Sequence, residues 1–362
     1  MRSMLRPLAI AKACWRTCAW GSVITATICA YSQQAQSTES TDQKPVFTLK
    51  VYTNLVQVPT LVLDRDRQPM PRVDTRRFQL KLDGGKVFAP THVRMEGADP
   101  LSLAILIDVG TKYRNDLVAG IADAAAEMAS KELHSQDRIS IYLLSCNLLR
   151  LLQEAHPLPG LLSGSIAAGL QSPKLGKNSA GISCGTNVYL WAATATIVKE
   201  MSEVSGRRAI LVIGDGHDDG SEISWPQLHE YAGVEGVALF GVRETPELTL
   251  EWQRDRTDVF RTLCESTGGV VMQGGRRDLQ KRLQQWIEML RGRYIMEFPR
   301  PQALSSGQHD IGVSIKNDWT AFTTVAGVSV SMPDPKLAED PNYIPSDEGS
   351  DIPVGKRRPL PH

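Results

Sequence analysis

Leu101-Ser-Leu-Ala-Ile-Leu-Ile-Asp108 is a run of apolar residues closed by a carboxylate, after which the chain turns at Val109-Gly110-Thr111-Lys112. A second run, Arg208-Ala-Ile-Leu-Val-Ile-Gly214, stops in the same way at Asp215 and Gly216. A parallel strand buried on both faces reads as a continuous apolar run, and its C-terminal end is where an open α/β sheet presents groups to a ligand. Two such strands put two acids on one rim. Between them Gly185-Thr186-Asn187 opens a further helix and sets a hydroxyl beside the acids. Asp108, Thr186 and Asp215 are most of an oxygen-ligand site for a divalent metal, but not all of it.

Outward from these strands the rhythm is strand, helix, strand. Leu117, Ile121, Ala124 and Met128 form one helical stripe, followed by a strand over 137–144 that 148–152 could join as a hairpin. The helix opened by Thr186 carries Val188, Trp191, Ala195 and Val198. Beyond the Asp215 loop come a strand at 236–241, a helix through Phe260 and Leu263, and a short strand at 270–272. A last helix lines up Leu279, Leu283, Trp286, Ile287 and Leu290, with Arg276, Arg277, Lys281, Arg282, Arg291 and Arg293 expected on its solvated side. This alternation predicts a mostly parallel sheet with helices on both faces.

Both flanks read as β structure. Arg77-Phe-Gln-Leu-Lys-Leu82 alternates and meets Asp83-Gly84-Gly85, a hairpin signal, with 87–95 as the return strand. On the other side, 294–298, 309–315 and 321–330 have strand character. In a parallel sheet the first strand begins, and the last helix ends, at the edge opposite the ligand crevice. Residues 46–98 and 294–331 are therefore expected to pair into one β module, with the α/β domain over 99–293 inserted between them.

The ends set the compartment. Residues 1–32 hold Arg2, Arg6, Lys12 and Arg16, no acid, and an apolar stretch ending at Ala30-Tyr31-Ser32. That is the pattern of a secretory signal peptide, too short to span a membrane, and it predicts export to the periplasm or beyond. Its removal takes four bases from a chain with 40 bases and 40 acids and leaves an acidic balance. No basic run points to nucleic acid, and no membrane span is expected once the signal is cleaved. Residues 33–45 read as a linker. The 332–362 tail, with seven of the 21 prolines, reads as disordered.

With these elements in order, the chain resembles the von Willebrand factor A (VWA) domain. More closely, it looks like the exported VWA-related proteins abundant in acidobacteria. The likeness rests on Val58 to Asp64, Arg77-Phe78, Asp83-Gly84, Pro100-Leu101, Asp137-Arg138 and Ile213-Gly-Asp-Gly-His-Asp218, and covers about residues 46–330. It implies a Rossmann-like sheet carrying a metal-ion-dependent adhesion site: Asp-x-Ser-x-Ser on one loop, Thr on a second, Asp on a third. Here the first loop reads Asp108-x-Gly110-x-Lys112, so both serines that ligate metal directly in the family are replaced. Thr186 and Asp215 match the other loops, and in the family pattern the two acids act largely through water. Mg²⁺ is therefore disfavoured, no other cofactor is expected, and Lys112 is the candidate to replace the cation's charge. Lys112, Asp218 and Asp219 are read as the rim that meets a protein ligand. The same topology brings Cys146 and Cys184 towards the rim, where an exported protein could bridge them, with Cys264 left as a buried thiol.

One catalytic pattern competes. Gly181-Ile-Ser183-Cys-Gly185 has the nucleophile-elbow spacing, and Asp215 and His229 follow in hydrolase order. No strand leads into it, as the elbow requires, and a loop reading is preferred. Binding without catalysis is the expected function, with a hydrolase using Ser183 and a purely structural VWA domain as the alternatives.

Overall fold

The computed structural model describes residues 55–70, 72–110, 120–175, 177, 187–243, 258–301, 304, 307–330 and 351–356. The expected signal peptide and linker lie outside the described residues, as do Lys112, Ser183, Cys184 and Thr186.

A six-stranded sheet is built from β5 (Leu101–Asp108), β6 (Arg138–Leu144), β7 (Leu148–Ala155), β8 (Arg207–Ile213), β9 (Val237–Arg243) and β10 (Val271–Gln273). Its order is β10-β9-β8-β5-β6-β7. All neighbours are parallel except β7, which returns antiparallel to β6 through a bulged register. Among the described residues six helices flank it: α1 (Ile121–Lys131), α2 (Pro159–Leu170), α3 (Leu190–Ser202), α4 (Trp225–Val234), α5 (Val259–Ser266) and α6 (Leu279–Arg291). Every residue of β5 is buried, because alternate side chains enter different cores. Leu103, Ile105 and Ile107 pack with Met128 of α1, Ile166 of α2 and Trp286 of α6. Ala104 and Leu106 face the other way, towards Ile197 of α3, Leu228 of α4 and Leu263 of α5. This is the doubly wound α/β class predicted from the apolar runs.

The flanks pair with each other. β1 (Leu55–Leu63) lies between β11 (Tyr294–Pro299) and β14 (Phe322–Val325), and β4 (His92–Met95) adds to the far side of β11. A second sheet joins β2 (Phe78–Leu82), β3 (Val87–Phe88) and β13 (Ile311–Ile315), while β12 (Gly307–His309) pairs with β15 (Val328–Val330). Val58, Leu80, Phe78, Met296 and Phe298 form the core between them. The return strand expected over 87–95 is in fact two strands in different sheets. Pro90 lies at the break, where its missing N–H would otherwise be owed to a ladder.

The chain enters β5 at the end opposite Asp108, directly after β4, and the junction is ionic. Arg293 and Glu96 are both buried and bonded twice, Nε to Oε2 at 2.7 Å and Nη2 to Oε1 at 2.8 Å. Arg291 donates to Asp137 Oδ2 at 2.6 Å and to the carbonyls of Gly97 and Asp99. The buried Asp137 also accepts the Leu101 N–H. The six bases expected on one solvated face are thus divided. Arg276, Arg277 and Lys281 are exposed, Arg282 donates to Gln285, and Arg291 and Arg293 join the two modules. A helical stripe does not reveal that its C-terminal end meets acids some 150 to 200 residues earlier in the chain.

The 332–362 tail needs one correction. Val354 bridges Leu82 in parallel, the Gly355 N–H donates to the Leu82 carbonyl, and Ile352 and Val354 pack on the β-module core. Two apolar residues around Pro353 suffice to dock a segment that composition alone marks as unstructured. No described helix is long and apolar enough to cross a membrane.

Candidate functional site

β5 leads to β6 on one side, whereas β8 leads to β9 on the other. The crevice at their C-terminal ends is therefore the sheet's topological switch point, where open α/β sheets bind ligands. Ile107 is level with Ile213, so Asp108 lies across from Gly214 with Asp215 next along the chain. Asp108 is buried and Asp215 exposed. The two strands approach closely here: a Cβ on Gly214 would stand 2.9 Å from the Asp108 Cβ.

Backbone N–H groups serve both acids. The Gly110 N–H donates to Asp108 Oδ1 at 3.0 Å, and the His217 N–H to Asp215 Oδ1 at 2.8 Å. Each is a short turn in which a carboxylate organises its own loop. Gly110 stands where the family pattern has a metal-binding serine, and Val188 closes the space a side chain would need. An added Cβ would lie 2.7 Å from Val188 Cγ2. The buried Ser145 is also beside Gly110, and its hydroxyl accepts the Cys146 N–H. The sequence places Val188 on the apolar face of a helix and not at the rim, and Ser145 is a lone serine that carries no motif.

Asp218 and Asp219, read from the sequence as ligand-facing, have partners within the fold. Helix α3 has no cap of its own at Tyr189. Asp218 Oδ1 instead accepts the Trp191 N–H at 2.9 Å, and the Ser221 hydroxyl accepts the Ala192 N–H at 3.1 Å. The Asp218 carboxylate also takes the Gly220 and Ser221 N–H groups and the Ser221 hydroxyl. Asp219 Oδ2 accepts from Val188 N, Val188 O accepts from Asp219 N, and Asp219 Oδ1 meets His217 Nε2 at 2.9 Å. The third loop therefore caps α3 from outside, placing negative charge at the positive end of that helix. The two-way bond to Asp219 also holds Val188 outside the helix, which starts at Leu190 and not at Thr186. The cue was Asp218-Asp-Gly-Ser221, a capping sequence that serves a helix 27 residues earlier.

Cys146 is disulfide-bonded; Cys184, its expected partner, lies outside the described residues. Cys264 is a free, buried thiol, and burial pushes its pKa well above the usual thiol value. His229, the base a Ser183 hydrolase would need, is buried on α4, with Nε2 at 3.2 Å from the Ser266 carbonyl. Burial lowers its pKa. Among the described residues, no group of three His, Cys, Asp or Glu side chains is placed to hold a metal ion.

No family model matches the chain, and no curated protein does. Solved structures with a similar fold include the conserved hypothetical protein BatB from Bacteroides thetaiotaomicron, with 15% identity over 52% of this chain and 98% of BatB, at a TM-score of 0.38. Proximal thread matrix protein 1 from the mussel byssus is 8% identical, covering 64% of this chain and 50% of its own, at 0.41. The manganese-loaded TRAP protein of Plasmodium vivax is 11% identical over 67% and 98%, at 0.37. All three scores are below 0.5, so the fold assignment rests on strand order and not on these neighbours. The sheet order, the switch point and the two helical layers are those of a VWA-type, Rossmann-like fold.

Proposed function

We propose that this is an exported, non-enzymatic binding protein of the VWA-related kind, whose Asp108 rim meets another protein without a metal ion. The observation that carries the reading is Gly110 against Val188, which leaves no room for a ligand side chain at the position where the family pattern places one. Two of the acids' oxygens already accept backbone N–H groups. These donors do not fit the full oxygen cage that Mg²⁺ demands. Lys112, four residues after Asp108, supplies positive charge in place of the cation. Two carboxylates sharing one rim repel unless a positive group offsets them. Export is supported by the basic, then apolar, N-terminal segment.

The test is calorimetry with Mg²⁺, alongside capture of envelope proteins on the purified chain with and without EDTA. Wild type should show no micromolar Mg²⁺ binding, and capture should survive EDTA but fail in Lys112→Met. Micromolar Mg²⁺ binding, or capture lost with EDTA, would overturn the metal-free rim. Ester hydrolysis abolished by Ser183→Ala would replace binding with catalysis.

A further inference from the structure

One cavity lies away from the Asp108 rim. It has a volume of about 340 Å³ and opens at the other end of the sheet, between the starts of β8 and β9, strand β1 and the residues that flank β11, Arg293 and Arg300. A few hundred cubic ångströms at a junction between modules is the size and place of small-molecule sites. Four arginines line it, Arg207, Arg208, Arg293 and Arg300, against a single carboxylate, Glu235.

These guanidinium groups are not equally committed. Arg293 is fully matched by Glu96 through two short bonds. Arg208 puts one terminal nitrogen on the last carbonyls of α3, Met201 at 3.4 Å and Ser202 at 3.1 Å. Arg207 is held only at arm's length: 3.9 Å from Glu96, 3.8 Å from Asp99 and 3.4 Å from the Gln57 amide oxygen. Charge-assisted hydrogen bonds normally close to about 2.7–2.9 Å. Its five-donor fork therefore keeps capacity for a better acceptor. Gly206 and Gly236 form part of the wall, both at positive φ, so no side chain stands between the cavity and the backbone there. The C-terminal ends of α4 and α5 also face this cavity, at Glu235 and Thr267, and their partial negative charge works against an anion. Half-charges partly spent in capping bonds are small beside the full guanidinium charges of Arg207 and Arg208.

We infer that this junction cavity binds a small anion bearing carboxylate or phosphate groups, with Arg207 as the principal fork. The site is separate from the rim and does not depend on the rim reading. Planar guanidinium matches both oxyanions in bidentate fashion, so the chemistry is shared and the probes separate the sources.

The experiment is isothermal titration of the full exported chain with inorganic phosphate and, separately, with succinate, at low salt. At least one should bind at millimolar affinity or tighter, and added NaCl should weaken it. Whichever binds identifies the oxyanion. Arg207→Gln should weaken binding about 10-fold or more, the scale of one lost charge-assisted contact. Glu235→Gln removes the carboxylate that lines the cavity itself and should tighten binding about threefold, a gain that misfolding cannot imitate. Arg150→Gln, on edge strand β7, should leave affinity unchanged. Absence of binding by both anions would overturn the inference. So would affinities indifferent to Arg207→Gln, or weaker binding in Glu235→Gln.

Discussion

Glu96 and Arg293, 197 residues apart in sequence, form a bidentate ion pair with both side chains buried. One residue follows β4 and the other precedes β11, so the pair ties together the two points where the chain crosses between modules. Removing one member leaves the other charged and desolvated, which typically costs about 3–5 kcal/mol. Urea denaturation of Arg293→Ala should show a loss of that size. The Glu96→Met/Arg293→Met pair should recover most of it, since no orphan charge remains. A loss under about 1 kcal/mol in the single variant would mean water reaches the pair.

Gly110→Ser would restore a side chain typical of metal-binding rims, yet we expect it to gain no Mg²⁺ affinity. The Cβ must displace Val188, at a cost of about 1–3 kcal/mol for an overpacked site. Gly110→Ser with Val188→Ala should recover part of that stability. Thermal denaturation and Mg²⁺ calorimetry of both variants check this, and micromolar Mg²⁺ binding by the single variant would contradict it.

Asp218→Ala should destabilise the fold by about 1–2 kcal/mol through loss of the α3 cap. The signature is local: hydrogen exchange at the Trp191 and Ala192 amides should accelerate before that of β5. Unchanged exchange at those amides would return Asp218 to the role of a purely ligand-facing acid.

Two groups give a pH dependence on the acid side. Burial of His229 lowers its pKa and outweighs the Ser266 carbonyl and the charges of Glu230 and Asp310, which oppose it, so the unfolded chain takes up the proton first. Stability should fall as pH drops below about 6.5, the ordinary histidine value, and His229→Gln should flatten that part of the curve. Asp258 acts at lower pH. Burial alone would raise its carboxyl, but hydrogen bonds from Arg243 and the Arg261 N–H, with both positive charges, outweigh burial and lower the pKa. Its contribution is complete above about pH 4 and is lost as pH falls through the depressed folded value. Arg243→Ala should remove it. Denaturant midpoints between pH 3 and 8 would reveal both steps.

Non-reducing peptide mapping should find the Cys146 peptide joined to that of Cys184, while Cys264 resists alkylation until the chain unfolds. Reaction of native Cys264 with iodoacetamide would show that its helix opens locally.

The strands around the rim were legible because burial on two faces leaves an uninterrupted apolar run, and Asp108 and Asp215 interrupt it at the point of exit. The pairing of the flanks followed from where a parallel sheet must begin and its last helix must end. What stayed hidden depends on distant partners. Asp218 reads as a surface acid until α3 is placed beside it. Arg293 reads as solvated until Glu96 is found beneath it, and Val354 until Leu82 offers it a strand edge. Gly110 was visible as a missing serine, but only Val188 shows that the space has closed.

Thr60 to Leu63 pair with Val325 to Phe322, so the first and last long strands of the β module lie side by side. Tension applied at the two flanks of the chain would first strip Leu55 to Pro59 from β11 and β15 from β12, then enter this pair from one end and part its rungs in sequence. Each rung would break alone, at low force, as in a zipper and not as in a lap joint. The inserted α/β domain stands outside that line of tension until the pair has opened. A tethered copy could therefore lengthen under load while its rim keeps its shape.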